Sequence, residues 1–135
     1  DLHLLSRRQR QMCIRDSVYL MLAEAVVRGG EGSSRTTALS YVNALRMRAF
    51  GNDSGNITDG QMTADFILDE RARELYMECV RRTDLIRYGK FTTASYLWQW
   101  KGGTITGQAV DDKFNIYPIP STELTANPNL YNENY

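Results

Sequence analysis

Glu70, Glu74 and Glu78 recur every four residues, which sets three carboxylates about 6 Å apart on one face of a helix. Two carboxylates near that separation are what a retaining glycosidase uses as acid and nucleophile. Such pairs flank a cleft from different elements, whereas here arginines at 71, 73, 81 and 82 offer neutralising partners. The expected role is therefore structural, an ion-pair network over Glu70, Arg71, Arg73, Glu74, Arg82 and Asp84. A second group, Tyr96, Trp98 and Trp100, supplies flat apolar rings of the type that stack on the CH-rich side of a pyranose. If that stretch is extended, alternation places both tryptophan rings on the same side. The three aromatics are weak candidates for ligand contact, against a preferred role as packing anchors.

Other catalytic chemistry is poorly supplied. The chain holds one histidine, His3, and two cysteines, Cys13 and Cys79, with no CxxC, no HExxH and no Cys/His cluster. No metal set, nucleophile–base pair or phosphate loop is legible, so neither an enzyme nor a bound cofactor is expected. Cys79 falls inside a helical pattern, where a small buried hydrophobe is the expectation. Sixteen basic residues balance sixteen acidic ones. That evenness removes the electrostatic footprint of a nucleic-acid binder or a polybasic membrane-surface protein. The longest apolar stretch, 18–27, contains Glu24 and falls short of the roughly 20 residues a membrane span needs.

These residues must be positioned by helices. Tyr19, Leu22, Ala23 and Val26 recur at three- and four-residue spacing, predicting a helix over 18–28 that Gly29-Gly30 ends. Ser33 or Ser34 then caps a second helix over 35–50, striped by Ala38, Leu39, Val42, Leu45 and Ala49. Two amphipathic helices joined by a Gly/Ser turn form a hairpin of the tetratricopeptide type, which needs neighbours to bury its faces. A turn-rich polar stretch, GNDSGNITDGQ, follows. A long third helix is expected over 63–88, and a short helical turn over 91–97. After Trp98 all three prolines occur, at 118, 120 and 128, predicting an extended C-terminal strap with one short turn near Ser121–Leu124. The fold class expected is all-α.

Residues 1–17 differ from the rest. They carry four arginines, lack a sustained helical period, and have neither the apolar core nor the cleavage site of a signal peptide. The string RRQRQMCIRDS resembles translated adapter or vector read-through. The division expected is thus a non-native leader, 1–17, and a native portion, 18–135.

Within 18–135 the segments YLMLAEA, YVNALRMRA, ILDERARELYMECVRRTDLIRYGK, WQWKGG and IYPIPSTEL with NPNLYNENY occur in order. Together they resemble the C-terminal region of the SusD/RagB family of outer-membrane nutrient-binding lipoproteins. The resemblance implies a fragment of a larger, mostly helical SusD-like fold built around tetratricopeptide-like hairpins. It further implies non-catalytic binding of an oligosaccharide or other nutrient, facing outward at the outer membrane, and delivery to a SusC-like TonB-dependent transporter. Membrane contact would run only through a lipid anchor absent from this fragment. Trp98 and Trp100 accompany the glycine pair in family members of differing specificity, which favours packing for them. The chain departs from the family in its leader and in ending NLYNENY. The alternative is a freestanding tetratricopeptide-like protein-interaction module, which would need more than the single hairpin seen.

Overall fold

The computed structural model describes residues 2–133 and 135, with side chains described from Ile14 onward except at position 134. Among the described residues the secondary structure is helical, without strands. In chain order it runs α1 (Leu2–Val27), α2 (Arg35–Phe50), α3 (Ala64–Glu74), α4 (Arg81–Arg87) and α5 (Ser121–Ala126), with short 3-10 turns between. The chain divides into two compact units, residues 1–81 and 82–135.

In the first unit, α1 and α2 form the expected hairpin and α3 packs beside α1. The α2 helix starts where Ser34 accepts a hydrogen bond from Thr37 N at 3.0 Å. It stops at Gly51, whose φ of 73° is the left-handed conformation of a helix C-terminus. Leu20, Ala23 and Val26 of α1 meet Ala38, Val42 and Leu45 of α2 and Ile67 of α3 in one core. Tyr19 and Tyr41 stack beside it, with centroids 4.3 Å apart and planes 5° from parallel. The polar stretch after α2 also contributes to the core. The Asn43 amide accepts from Ile57 N at 2.8 Å and donates to Ile57 O at 3.0 Å. This clasp turns Ile57 inward, and Met62 follows it into the core.

Helix α1 begins upstream of the expected boundary at Val18. Asp16, inside the segment set apart as a leader, is only 1% exposed. Its carboxylate accepts from Arg48 of α2 at 2.5 Å and from Arg15 at 3.1 Å. Arg48 reaches on to Glu74 at the end of α3. Around Arg48 these three charges therefore link three helices. The hydrogen bond to Asp16, outweighing burial, raises the Arg48 pKa above its ordinary value. Glu74 moves the other way from a typical ion-paired carboxylate. Burial pushes its pKa up, and Arg48 only partly offsets this. A second bridge runs from Arg46 of α2 to Glu70 of α3 at 2.8 Å, with Arg73 on the same carboxylate at 2.6 Å. The side chains of His3 and Cys13 lie outside the described residues.

The long third helix is interrupted. Its first part, α3, is capped by Thr63, which accepts from Phe66 N at 3.1 Å, and it ends at Glu74. The chain turns through Leu75–Val80 before α4 begins, and Met77 and Cys79 there adopt φ of 68° and 59°. Arg81 holds the far side of this turn by donating to Leu68 O at 2.6 Å. Cys79 is exposed at the turn and is not the buried hydrophobe expected from a continuous helix. The break also takes Glu78 off the helical face that it was expected to share with Glu70 and Glu74.

In the second unit the segment 91–97 is bends and turns with no helix. The strap is not extended throughout, making 3-10 turns at Lys101–Gly103 and Asp112–Asn115 before it runs extended over 117–120 into α5, where a short turn was expected. Lys101 organises this unit. It is only 3% exposed, and its ammonium donates to Thr93 O at 2.5 Å, Tyr96 O at 2.9 Å and Lys90 O at 3.4 Å. Burial pushes its pKa below the ordinary lysine value. Asn132 repeats the clasp seen at Asn43, accepting from Ile119 N at 2.7 Å and donating to Ile119 O at 3.1 Å.

Arg48→Met is expected to destabilise the intact protein by about 3 kcal/mol, because it leaves the Asp16 carboxylate buried with only an exposed arginine. Glu74→Gln should stay within about 0.5 kcal/mol at neutral pH, since burial already penalises the ionised form. A folded pKa above the unfolded one means that this penalty fades as pH falls through the raised pKa. Denaturant melts at pH 7 and 5 check both, the wild type gaining on Glu74→Gln at the lower pH. Cys79→Gly should raise the unfolding free energy by about 0.5 kcal/mol, and the denaturation midpoint with it, the left-handed strain relieved less the added unfolded-chain entropy.

Candidate functional site

The candidate aromatics sit in the second unit, on a loop that is tightly turned and not extended. Trp100 N donates to Thr104 O at 3.0 Å and Gly103 N to Trp100 O at 3.1 Å. Trp100 itself is left-handed, with φ of 68°. Holding a bulky residue there costs on the order of 1–3 kcal/mol, which the surrounding turn must absorb. Gly107 closes the loop, with φ of 77°. A Cβ there would lie 2.4 Å from the Trp98 carbonyl oxygen, so no side chain fits.

The turn opens a groove of about 900 Å³ confined to this unit. Its rings come from Phe91, Trp98, Trp100, Phe114, Tyr117 and Tyr135, and its charged walls from Arg82, Lys101 and Asp111. The two tryptophans differ in their surroundings. Trp98 is 38% exposed, packs on Phe91 with centroids 6.0 Å apart, and has the Lys101 ammonium 4.7 Å from its ring. Trp100 is 64% exposed and none of the recorded ring contacts involves it. Tyr96 stands aside. It tilts toward Trp98 at 6.5 Å and gives its carbonyl to Lys101, but it does not line the groove.

The opposite wall is held by the strap. Thr92 Oγ1 donates to Asp112 at 2.5 Å and Val110 N to Thr92 O at 2.8 Å. The Tyr135 hydroxyl lies 2.8 Å from Ile116 O and 2.9 Å from Lys113 O, sharing its proton between them. Its ring meets Phe114 edge-on at 6.4 Å. Sequence reasoning missed Phe91, Phe114, Tyr117 and Tyr135. They are spread over 45 positions with no period, and only the folding back of the strap gathers them.

The six residues assigned to one ion-pair network fall into two places. In the first unit Glu70 and Arg73 pair with each other, Glu74 pairs with Arg48, and Arg71 is buried. In the second unit Asp84 is buried and pairs with Arg87 at 2.9 Å. Arg82 is placed otherwise. Its guanidinium carbon lies 3.9 Å from the Tyr117 centroid and 5.0 Å from that of Phe91, and its Nη2 donates to Phe114 O at 2.6 Å. Among the described residues no carboxylate pairs with it. No group of three or more His, Cys, Asp or Glu among them is placed to hold a metal ion, and no helix is long and apolar enough to cross a membrane.

A family model, that of the SusD family, matches residues 14–135. The match begins inside the segment 1–17, close to the buried Asp16. The chain is 42% identical over 118 residues to the starch-binding protein SusD of Bacteroides thetaiotaomicron, covering 87% of this chain and 20% of that protein. It is 34% identical over 116 residues to the SusD-like protein P25 of Formosa agariphila, covering 84% of this chain and 21% of that protein. The chain thus spans about one-fifth of the length of these relatives. With its family match running over 14–135, the chain belongs to the SusD family.

Proposed function

We propose that the protein binds a glycan without cleaving it and passes it to a SusC-like TonB-dependent transporter at the outward face of the outer membrane. The observation that carries the binding step is the aromatic groove of the second unit. Six rings surround a space large enough for a short oligosaccharide, and Trp100 offers an unobstructed face. An aromatic face against the CH side of a sugar buries apolar area while the sugar hydroxyls stay in water, which gives affinity without deep enclosure. The relative named for starch binding supports a sugar as the ligand class. Delivery and location follow from the family reading, and the membrane tether would be a lipid. A non-catalytic role fits the carboxylates. Glu70 and Glu74 are committed to arginines, and neither lines the groove.

The two tryptophans are assigned different roles. Trp98, packed on Phe91 beside Lys101, anchors the loop, and Trp100 meets the ligand. We further propose that the sequence foreign to the family is confined to residues 1–13, since Asp16 is engaged with Arg48.

Isothermal titration of the intact protein with maltoheptaose and a panel of plant oligosaccharides tests the reading. Trp100→Ala should leave the melt within about 0.5 kcal/mol and weaken binding about tenfold. Trp98→Ala should cost about 2 kcal/mol of stability, below the usual range for a fully buried tryptophan because the ring is partly exposed. Unchanged affinity in Trp100→Ala for every glycan that the wild type binds would refute the groove as the site. Deleting residues 1–13 should alter neither melting nor binding.

A further inference from the structure

The charge at the groove wall is not what a site for a neutral sugar requires. Arg82 lies against the rings of Tyr117 and Phe91 and makes one side-chain hydrogen bond, to the Phe114 carbonyl. Stacking covers the faces of a guanidinium and leaves N–H groups at its edge, the geometry that accepts a carboxylate in a fork. Lys113 stands close by, its ammonium 5.5 Å from the Phe114 centroid and 5.4 Å from that of Tyr135. No carboxylate among the described residues forms a recorded ion pair with either cation. Asp111 is the one carboxylate lining the groove, and it accepts from Lys113 N within its own turn. Lys101 also lines the groove, but its ammonium is spent on three carbonyl oxygens.

Arg82 is half-buried and has no carboxylate partner among the described residues, so N–H groups at its edge are open to an anionic ligand, which would gain charge-assisted hydrogen bonds there. The ring faces select a flat, CH-rich partner and the Arg82 edge selects an anion, so both demands meet in one molecule. We propose that the groove prefers a carboxylated sugar, a uronate, over the neutral sugar of the same ring. In this arrangement the pyranose lies on Trp100 and its carboxylate is taken by Arg82. The inference rests on the glycan-binding reading and narrows it to an acidic class, distinct from the starch for which the 42% identical relative is named.

The intact protein is titrated with tetragalacturonic acid, with its fully methyl-esterified form, and with maltoheptaose, at fixed ionic strength. The expected result is at least a tenfold preference for the acid over the ester, equivalent to about 1.4 kcal/mol. Arg82→Gln should reduce that ratio to about one while ester binding persists, and Arg82→Lys should keep only part of it. The acid-to-ester ratio is unaffected by a change in folded fraction, so a destabilised variant still reports. Equal binding of acid and ester by the wild type, or an undiminished ratio in Arg82→Gln, would overturn the uronate assignment while leaving glycan binding standing. Loss of all three ligands' binding only in Trp100→Ala would keep the groove. Absence of binding by any of the three in the wild type would count against both readings.

Discussion

A carboxylate buried between helices must be neutralised by something, and Asp16 makes Arg48 that something. The apolar stripes of α1 and α2 are alanines, valines and leucines that could slide past one another by a turn at modest cost. A buried charge cannot slide, because each displaced register strands it without a partner. Arg48 sits in the last turn of α2, where the helix dipole already favours a cation, and it spans from Asp16 to Glu74. Its guanidinium offers several donors in one plane, so it can serve two carboxylates on two helices at once. The relative placement of α1, α2 and α3, and hence of the core between them, depends on that one side chain. Glu70 with Arg46 and Arg73 repeats the solution one turn away.

The second unit has too few buried apolar groups to be shaped by a core, and it solves the same problem with backbone oxygens. Lys101 is surrounded by carbonyls that a loop would otherwise have left without donors. The paired bonds of Asn132 with Ile119 imitate one rung of a sheet without a second strand, as Asn43 does with Ile57. Polar side chains here do what a ladder or a helix does elsewhere, satisfying the main chain where it cannot satisfy itself. The rings of the groove are therefore held by a loop pinned from within, which explains how a bulky Trp100 is kept in a left-handed backbone conformation.

Much of the helical hairpin was legible because its signals are local. Ser34 and Gly51 mark both ends of α2, and the stripe of Ala38, Val42 and Leu45 identifies its inner face. What was hidden lay in places where a local pattern continues across a change in direction. The spacing of charges and apolar residues runs unbroken from Thr63 to Tyr88, and no glycine or proline announces the turn at Leu75–Val80. The structure spends strain at Met77 and Cys79 instead. Ile57 and Met62 looked like part of a polar loop because their burial is imposed by Asn43, fourteen residues away from Ile57. Spacing on an uninterrupted helix suggested a salt bridge for Arg82, whereas the chain brings it two aromatic rings from beyond the break. Trp98 and Trp100 were recognisable as a pair, but their unequal exposure arises from a reversal of the backbone that alternation does not foresee.

The placement of the tryptophans has an optical consequence. The chain contains two, and both line the same groove. All of its indole emission therefore originates at one location. Trp100, largely hydrated, should emit toward the red, while Trp98 sits beside a fixed ammonium whose field shifts and quenches an indole excited state. Whatever enters the groove must displace water from the first ring and alter the polarity around the second, so the chain carries its own spectroscopic probe of occupancy without any added label.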